Sequence, residues 1–255
     1  VSPNGATPAA SVSLRGVSPI GFAAGGGSLG IRSSGAPLAG DSVIGSTWTG
    51  RLTDGKTVAL RIDDAIQGTG SNADVWSYKV SVSADGTWRP LCTDKPGFGS
   101  LADTVRGSWN LAQGVAGGGA YHPETPEFTI ACRGSAISKC VEMGFKPWTG
   151  NTRELASCVR ALRADYCGDG TPHTVDGTLV NIFDAEGIQA DSENWTPEAE
   201  WTPDGARCIS QAQNTRFYQA AHDTPTCFQH TLQPQKLCGT GFSAETALIT
   251  ELRPR

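Results

Sequence analysis

The chain has 255 residues, a formal net charge of −5 and 38 % hydrophobic residues, enough apolar material for a core in one large domain or two small ones. No run of Lys or Arg makes a basic stripe, which argues against nucleic acid as a partner. No stretch approaches the roughly 20 apolar residues that a membrane-spanning helix needs, so no transmembrane segment is expected.

Residues 1–40 are rich in Gly, Ser, Ala and Pro and read as a flexible lead-in of the stalk type. The start at Val1, without an initiator Met, reads as a mature or trimmed product. A five-residue rhythm follows in Leu38-Ala39-Gly40, Val43-Ile44-Gly45 and Trp48-Thr49-Gly50. It is either the beginning of a solenoid-like coil or a Gly-punctuated first strand.

Residues 41–115 read as a β-rich part. Asp54-Gly55 stands before Val58, Leu60 and Ile62, which alternate with polar or small neighbours. Asp-Gly between alternating runs is a hairpin signal, because both turn residues take positive φ. Trp76, Tyr78, Val80 and Val82 alternate in the same way before Asp85-Gly86 and the run Thr87–Cys92. Ser108–Leu111 and Glu127–Cys132 add two more strands.

Residues 116–255 read as an α+β part packed with 41–115 as one unit. Ile137, Cys140, Val141 and Phe145 share one helical face within 135–145. Lys146-Pro147-Trp148-Thr149-Gly150 breaks that helix. Asn151 with Glu154 three residues on predicts the cap of a second, buried along Leu155, Cys158, Val159 and Leu162 and ending near Cys167-Gly168. A third Asp-Gly hairpin is predicted over 173–184, followed by two related tetrads, Trp195-Thr196-Pro197-Glu198 and Trp201-Thr202-Pro203-Asp204; the rest reads as loop-rich and pinned by Cys208, Cys227 and Cys238, up to a closing strand over 247–252. The predicted fold class is α+β: an antiparallel β meander with a helical hairpin and a further β-hairpin, disulfide-stapled.

Eight cysteines, Cys92, Cys132, Cys140, Cys158, Cys167, Cys208, Cys227 and Cys238, are all disulfide candidates. Their even number and the single Met suit an oxidising compartment: secreted, periplasmic or outer-surface. Either four disulfides, or three with two free thiols, fit this count. Cys140 and Cys158 lie on the apolar stripes of neighbouring helices, as a helix–helix disulfide or as two packed thiols. No C-x-x-C pair occurs, so a zinc ribbon or thioredoxin-type site has no support.

Ala164-Asp165-Tyr166-Cys167, continued by Gly168-Asp169-Gly170, resembles the signature of the bacterial ADYC-domain family. So do Phe128–Gly134, Lys139–Phe145 and Glu200–Cys208. The resemblance runs from about residue 50 to the C-terminus and implies an exported bacterial chain. It carries no catalytic residue with it.

Two chemistries can be read from the residues. Cys132, at the end of a strand and before a helix, would be a nucleophile if its thiol is free, since a helix N-terminus favours the thiolate. His173 and Asp184, at the open ends of the third hairpin, would then supply the oriented base. This defines a secreted cysteine-type hydrolase or acyl transferase acting on amide or ester bonds. The alternative is that Cys132 is bridged, with Cys92 as one partner, and no thiol is available. In the second chemistry Asp165, Asp169, Asp176 and Asp184, with Glu198 and Glu200, act as paired carboxylates, or Asp169-Gly170 and its neighbours hold Ca²⁺ through oxygen ligands, without EF-hand spacing. Turn formation by Asp-Gly explains the same aspartates more simply.

His122, His222 and His230 are scattered, with no pair at helical spacing for a metal, and no cofactor pattern is present. Trp88, Trp148, Trp195 and Trp201 serve either as core anchors or as stacking surfaces for sugars. The simplest reading is a non-catalytic surface or matrix protein whose partner is an extracellular glycan or protein.

Overall fold

The computed structural model describes residues 10–13, 27–33, 36–51, 57–83, 86–94, 96–109, 119–125, 128–221, 223–229, 238 and 242–254. Its first part is a barrel. The strands are β1 (Ala10–Ser13), β2 (Gly30–Ser33), β3 (Ala36–Ala39), β4 (Thr47–Arg51), β5 (Thr57–Gln67), β6 (Trp76–Ser83), β7 (Trp88–Pro90), β8 (Leu101–Arg106), β9 (Ser108–Trp109), β10 (Tyr121–His122) and β11 (Phe128–Cys132). The sheet runs β5-β4-β1-β11-β8-β6-β7, and β5 also pairs with β6. Six antiparallel strands therefore close on themselves, and β7 hangs from β6 as a short flap. The predicted meander is present and curls into a ring.

Both predicted hairpins form: Arg51 pairs with Thr57, and Ser83 with Trp88. The Asp54-Gly55 turn and Asp85 lie outside the described residues. The five-residue rhythm builds no solenoid; its copies fall at the end of β3, in a 3₁₀ turn at Gly40–Val43, and in β4. The segment read as a lead-in supplies β1, which pairs with β4 and β11. Its Ala-Ser-Val-Ser alternation is a strand pattern that small-residue composition conceals.

The second part stacks helices on a sheet. It comprises α1 (Ala136–Glu142), α2 (Thr152–Arg163), β12 (Val180–Asp184), β13 (Thr196–Thr202), β14 (Gly205–Ile209), α3 (Arg216–Gln219), α4 (Thr226–Gln229) and β15 (Leu248–Leu252). The order β12-β15-β13-β14 is antiparallel throughout. α2 buries Leu155, Cys158 and Val159 against this sheet. Asn151 holds the expected N-cap position, but its amide donates to Thr149 Oγ1 at 2.9 Å instead of capping the helix. The helix stops at Ala164, in the left-handed conformation at φ 50°, four residues before Gly168.

The predicted 173–184 hairpin does not form. Asp176-Gly177 makes a turn, with Gly177 at φ 85°, but β12 pairs with β15 rather than with the preceding residues. The loop-rich reading of the rest is corrected at its start, because Gly205–Ile209 is strand β14 and forms a hairpin with β13, with Gly205 at φ 115° after Asp204.

Alternation divides the molecule into two cores. On β11, Phe128, Ile130 and Cys132 point into the barrel with Leu60, Ile62, Tyr78, Val80 and Ala102. Ala131 on β11 and Val105 on β8 point the other way, to Ile137, Val141, Phe145 and Trp201. One pair of strands thus walls both cores.

All eight cysteines are bridged: Cys92–Cys132, Cys140–Cys158, Cys167–Cys227 and Cys208–Cys238. The first lies inside the barrel and the second joins α1 to α2. The third and fourth tie α4 and the C-terminal stretch to the sheet layer.

Two glycines let the turn after α2 touch the β13–β14 turn. Gly168 has φ 68°, and a Cβ there would lie 2.1 Å from the Asp204 carbonyl oxygen; one on Gly205 would lie 2.6 Å from that of Tyr166. Replacing Gly168 by Ala is expected to cost about 3 kcal/mol or more in urea unfolding, from strain and collision together. Gly177→Ala, with φ 85° and open space around it, isolates the strain and should cost about 1 kcal/mol.

Candidate functional site

The signature residues Ala164–Cys167 sit at the junction of helix and sheet, and each has a distinct task. Ala164 turns the chain out of the helix. The buried Asp165 accepts from the Arg160 guanidinium and from the Gly170 amide at 2.9 Å. Burial raises its pKa and the Arg160 charge opposes the rise. Cys167 is bridged to Cys227.

Tyr166 leads to the most buried charge pair of the described residues. Its hydroxyl donates to Glu198 Oε1 at 2.5 Å and accepts from the Arg216 amide at 2.9 Å. Arg216 grips the same carboxylate with two prongs, Nε to Oε1 and a terminal nitrogen to Oε2, both at 2.9 Å. Thr250 Oγ1 donates to Oε2 at 2.7 Å and itself accepts from Trp201 Nε1 at 2.8 Å. Glu198 is 0 % exposed and Arg216 2 %. Burial first, then the Glu198 charge, pushes the Tyr166 phenol far above its ordinary pKa. A carboxylate held by this many donors is a fastener for β13, β15, α3 and the end of α2.

The remaining carboxylates are engaged separately. Asp184 accepts from the amides of Glu186, Ile188 and Gln189, closing a loop. Asp169 accepts from the Thr171 amide at 2.8 Å, and Asp176 lies in the turn described above. Glu200 accepts from Arg207 and Thr246. Each of these aspartates takes its own turn or ion pair.

The proposed triad is not assembled. Cys132 is bonded to Cys92 and is 6 % exposed, inside the barrel, so it carries no thiolate. His173 is buried, its Nδ1 3.2 Å from the Ala164 carbonyl oxygen and its amide bonded to Arg163. The hairpin meant to join it to Asp184 is absent, since β12 pairs with β15 instead. His122 is on the exposed β10, 3.4 Å from Glu124; His222 and His230 lie outside the described residues. Trp201 is a core anchor and Trp148 donates to Asp74.

Two further groupings resemble sites in sequence or space. Gly26-Gly27-Ser28-Leu29-Gly30 has the spacing of a nucleophile elbow. Ser28 is 7 % exposed and stands beside β2 rather than between a strand and a helix. Glu200, Cys208 and Cys238 bring ligand-type atoms within 4.8 Å of one another, but two of those atoms are the sulfurs of one disulfide, and metal ligation requires thiolates.

Another buried carboxylate seals the wall between the cores. Asp103 on β8 is 0 % exposed and accepts from Ser77 Oγ at 2.6 Å and Ser138 Oγ at 2.5 Å, which fastens α1 to the barrel. Burial raises its pKa to about 6; the two serines oppose the rise, and of the nearby charges Glu142 adds to it while Arg133 opposes it.

These features define an α+β protein, a closed barrel backed by a helix-covered sheet, whose densest polar cluster is architectural. The family model described as the ADYC domain matches residues 40–215, more than half of the chain, and the chain belongs to that family. No curated protein and no solved structure matches it.

Two expectations follow. Glu198→Gln leaves Arg216 buried without a countercharge and should cost about 3–5 kcal/mol in urea unfolding, whereas Tyr166→Phe removes one donor and should cost about 1–3 kcal/mol. The folded-state pKa of Asp103 lies above its unfolded value, so its contribution is fully present below about pH 4 and is lost as pH rises through about 6. Asp103→Asn should therefore match the parent near pH 4 and exceed it by about 2–3 kcal/mol at pH 7.5. Denaturant melts across that range measure the difference, and a constant gap would refute the assignment.

Proposed function

We propose that the chain is an exported bacterial protein with a non-catalytic role, a surface or matrix protein that binds glycan or protein outside the cytosol. The observation that carries this reading is the complete pairing of the cysteines, with Cys132 sealed in the barrel. Four disulfides across one fold suit an oxidising compartment. Bridging also removes the nucleophile that a cysteine hydrolase would need. No helix among the described residues is long and apolar enough to cross a membrane. The buried Glu198–Arg216 and Arg160–Asp165 pairs support the same reading, because they spend charge on holding elements together.

Thiol titration of denatured, unreduced protein is expected to find no free thiol per chain. The companion assay is hydrolysis of model amides and esters before and after iodoacetamide. One or two titratable thiols, with an activity that alkylation abolishes, would replace this reading with the cysteine enzyme.

A further inference from the structure

The outer face of the barrel carries a strip of mixed chemistry on β5, β6 and β7 that none of the buried networks uses. Register places Arg61 opposite Ser81 and Ser81 opposite Pro90; one row along, Ala59, Ser83 and Trp88 are aligned. Partners in register project to the same face. Arg61 reaches across this face, its guanidinium carbon 4.7 Å from the centre of the half-buried Trp88 ring, and its Nε donates to Asp63 Oδ1 at 2.5 Å. Ser81 Oγ donates to the other oxygen of Asp63.

A β-bulge between Ile62 and Asp64 changes what this face displays. In a regular strand Asp63 and Asp64 would point to opposite sides. Here Asp63 meets Arg61 and Ser81, while Asp64 is the register partner of Lys79, which shares the face of Ser81 by alternation. Two consecutive carboxylates therefore stand on one face, Asp63 bonded to Arg61 and Asp64 in register with Lys79. Ile66, 49 % exposed, continues the row two residues beyond Asp64. From Ala59 to Ile66 the strip is about 20 Å long by strand rise.

We propose that this strip binds a neutral polysaccharide, with Trp88 and Ile66 as apolar rests for sugar rings and the Arg61–Asp63 and Lys79–Asp64 pairs as hydrogen-bonding stations. The charge pattern selects the ligand. Each cation stands beside an anion, so a polyanion or a polycation meets a repelling group next to every attracting one. A hydroxyl both donates and accepts, and a row of them satisfies both members of each pair. The indole supplies a broad, rigid apolar surface. Guanidinium stacking and the nearby Cys92–Cys132 bridge hold β7 in place before any ligand arrives, which lowers the ordering cost of binding.

The proposal rests on the binding reading above. Affinity electrophoresis of the whole chain tests it, in gels containing hydroxyethylcellulose, dextran or galactomannan, with polygalacturonate and poly-L-glutamate as charged comparisons. At least one neutral polymer is expected to retard the protein. Trp88→Ala should weaken that retention about tenfold. The double variant Asp64→Ala, Lys79→Ala, at exposed positions that spare the fold, should weaken it at least about threefold. Absence of retardation by all three neutral polymers, equal retention of the double variant, or stronger retention by either polyanion would overturn the proposal. Reducing-end assays on the same polymers separate the two readings. New ends would sink the non-catalytic role, whereas intact polymers without retention would sink only the strip.

Discussion

The wall formed by β8 and β11 is the constraint on which the molecule depends. Each strand has a buried residue at nearly every position, because one face lines the barrel and the other meets the helices. Polar groups in such a wall need internal partners. Asp103 finds two serines, one on each side of the joint, and Thr129 donates to the Gly107 carbonyl. The barrel and the helix-covered sheet are therefore coupled through shared strands rather than through a linker, and a change in the wall is felt by both.

The same logic explains the family signature. Its conspicuous run of Ala, Asp, Tyr and Cys stops a helix, pairs a buried arginine, fastens a three-element ion cluster and anchors a disulfide in four consecutive positions. The two glycines that let neighbouring backbone come close belong to the same joint. Chemistry-bearing residue types here serve assembly. A buried pair of this kind gives modest net stability but a large penalty on being broken, so it specifies one arrangement of β13, β15 and α3.

What could be read from the sequence was mostly local. Alternation marked β5, β6 and β11, and the stripe containing Cys140 and Cys158 placed both on facing helices, where they are bridged. The N-cap of α2 was legible as a position, while its hydrogen bond was not. What stayed hidden depends on pairing across long stretches of chain. Closure of the ring needs β1, whose four residues look like linker, to lie between β4 and β11. β12 looked like half of a hairpin because a good turn precedes it, yet its partner β15 lies at the far end of the chain. The same hairpin was the ground for pairing His173 with Asp184, while the Cys92–Cys132 bridge removes the thiol they would have served. Glu198 was read as a candidate carboxylate, but Arg216 gave no signal, because nothing in its neighbourhood shows that it would be buried against a strand eighteen residues earlier.

Ring closure has a consequence for association between copies. A sheet edge offers unpaired amides and carbonyls to any passing chain. In the barrel sheet, closure leaves β7 as the terminal strand of the order, only three residues long and ending in Pro90, which has no amide hydrogen to give. That rim is a poor template for fibrous growth.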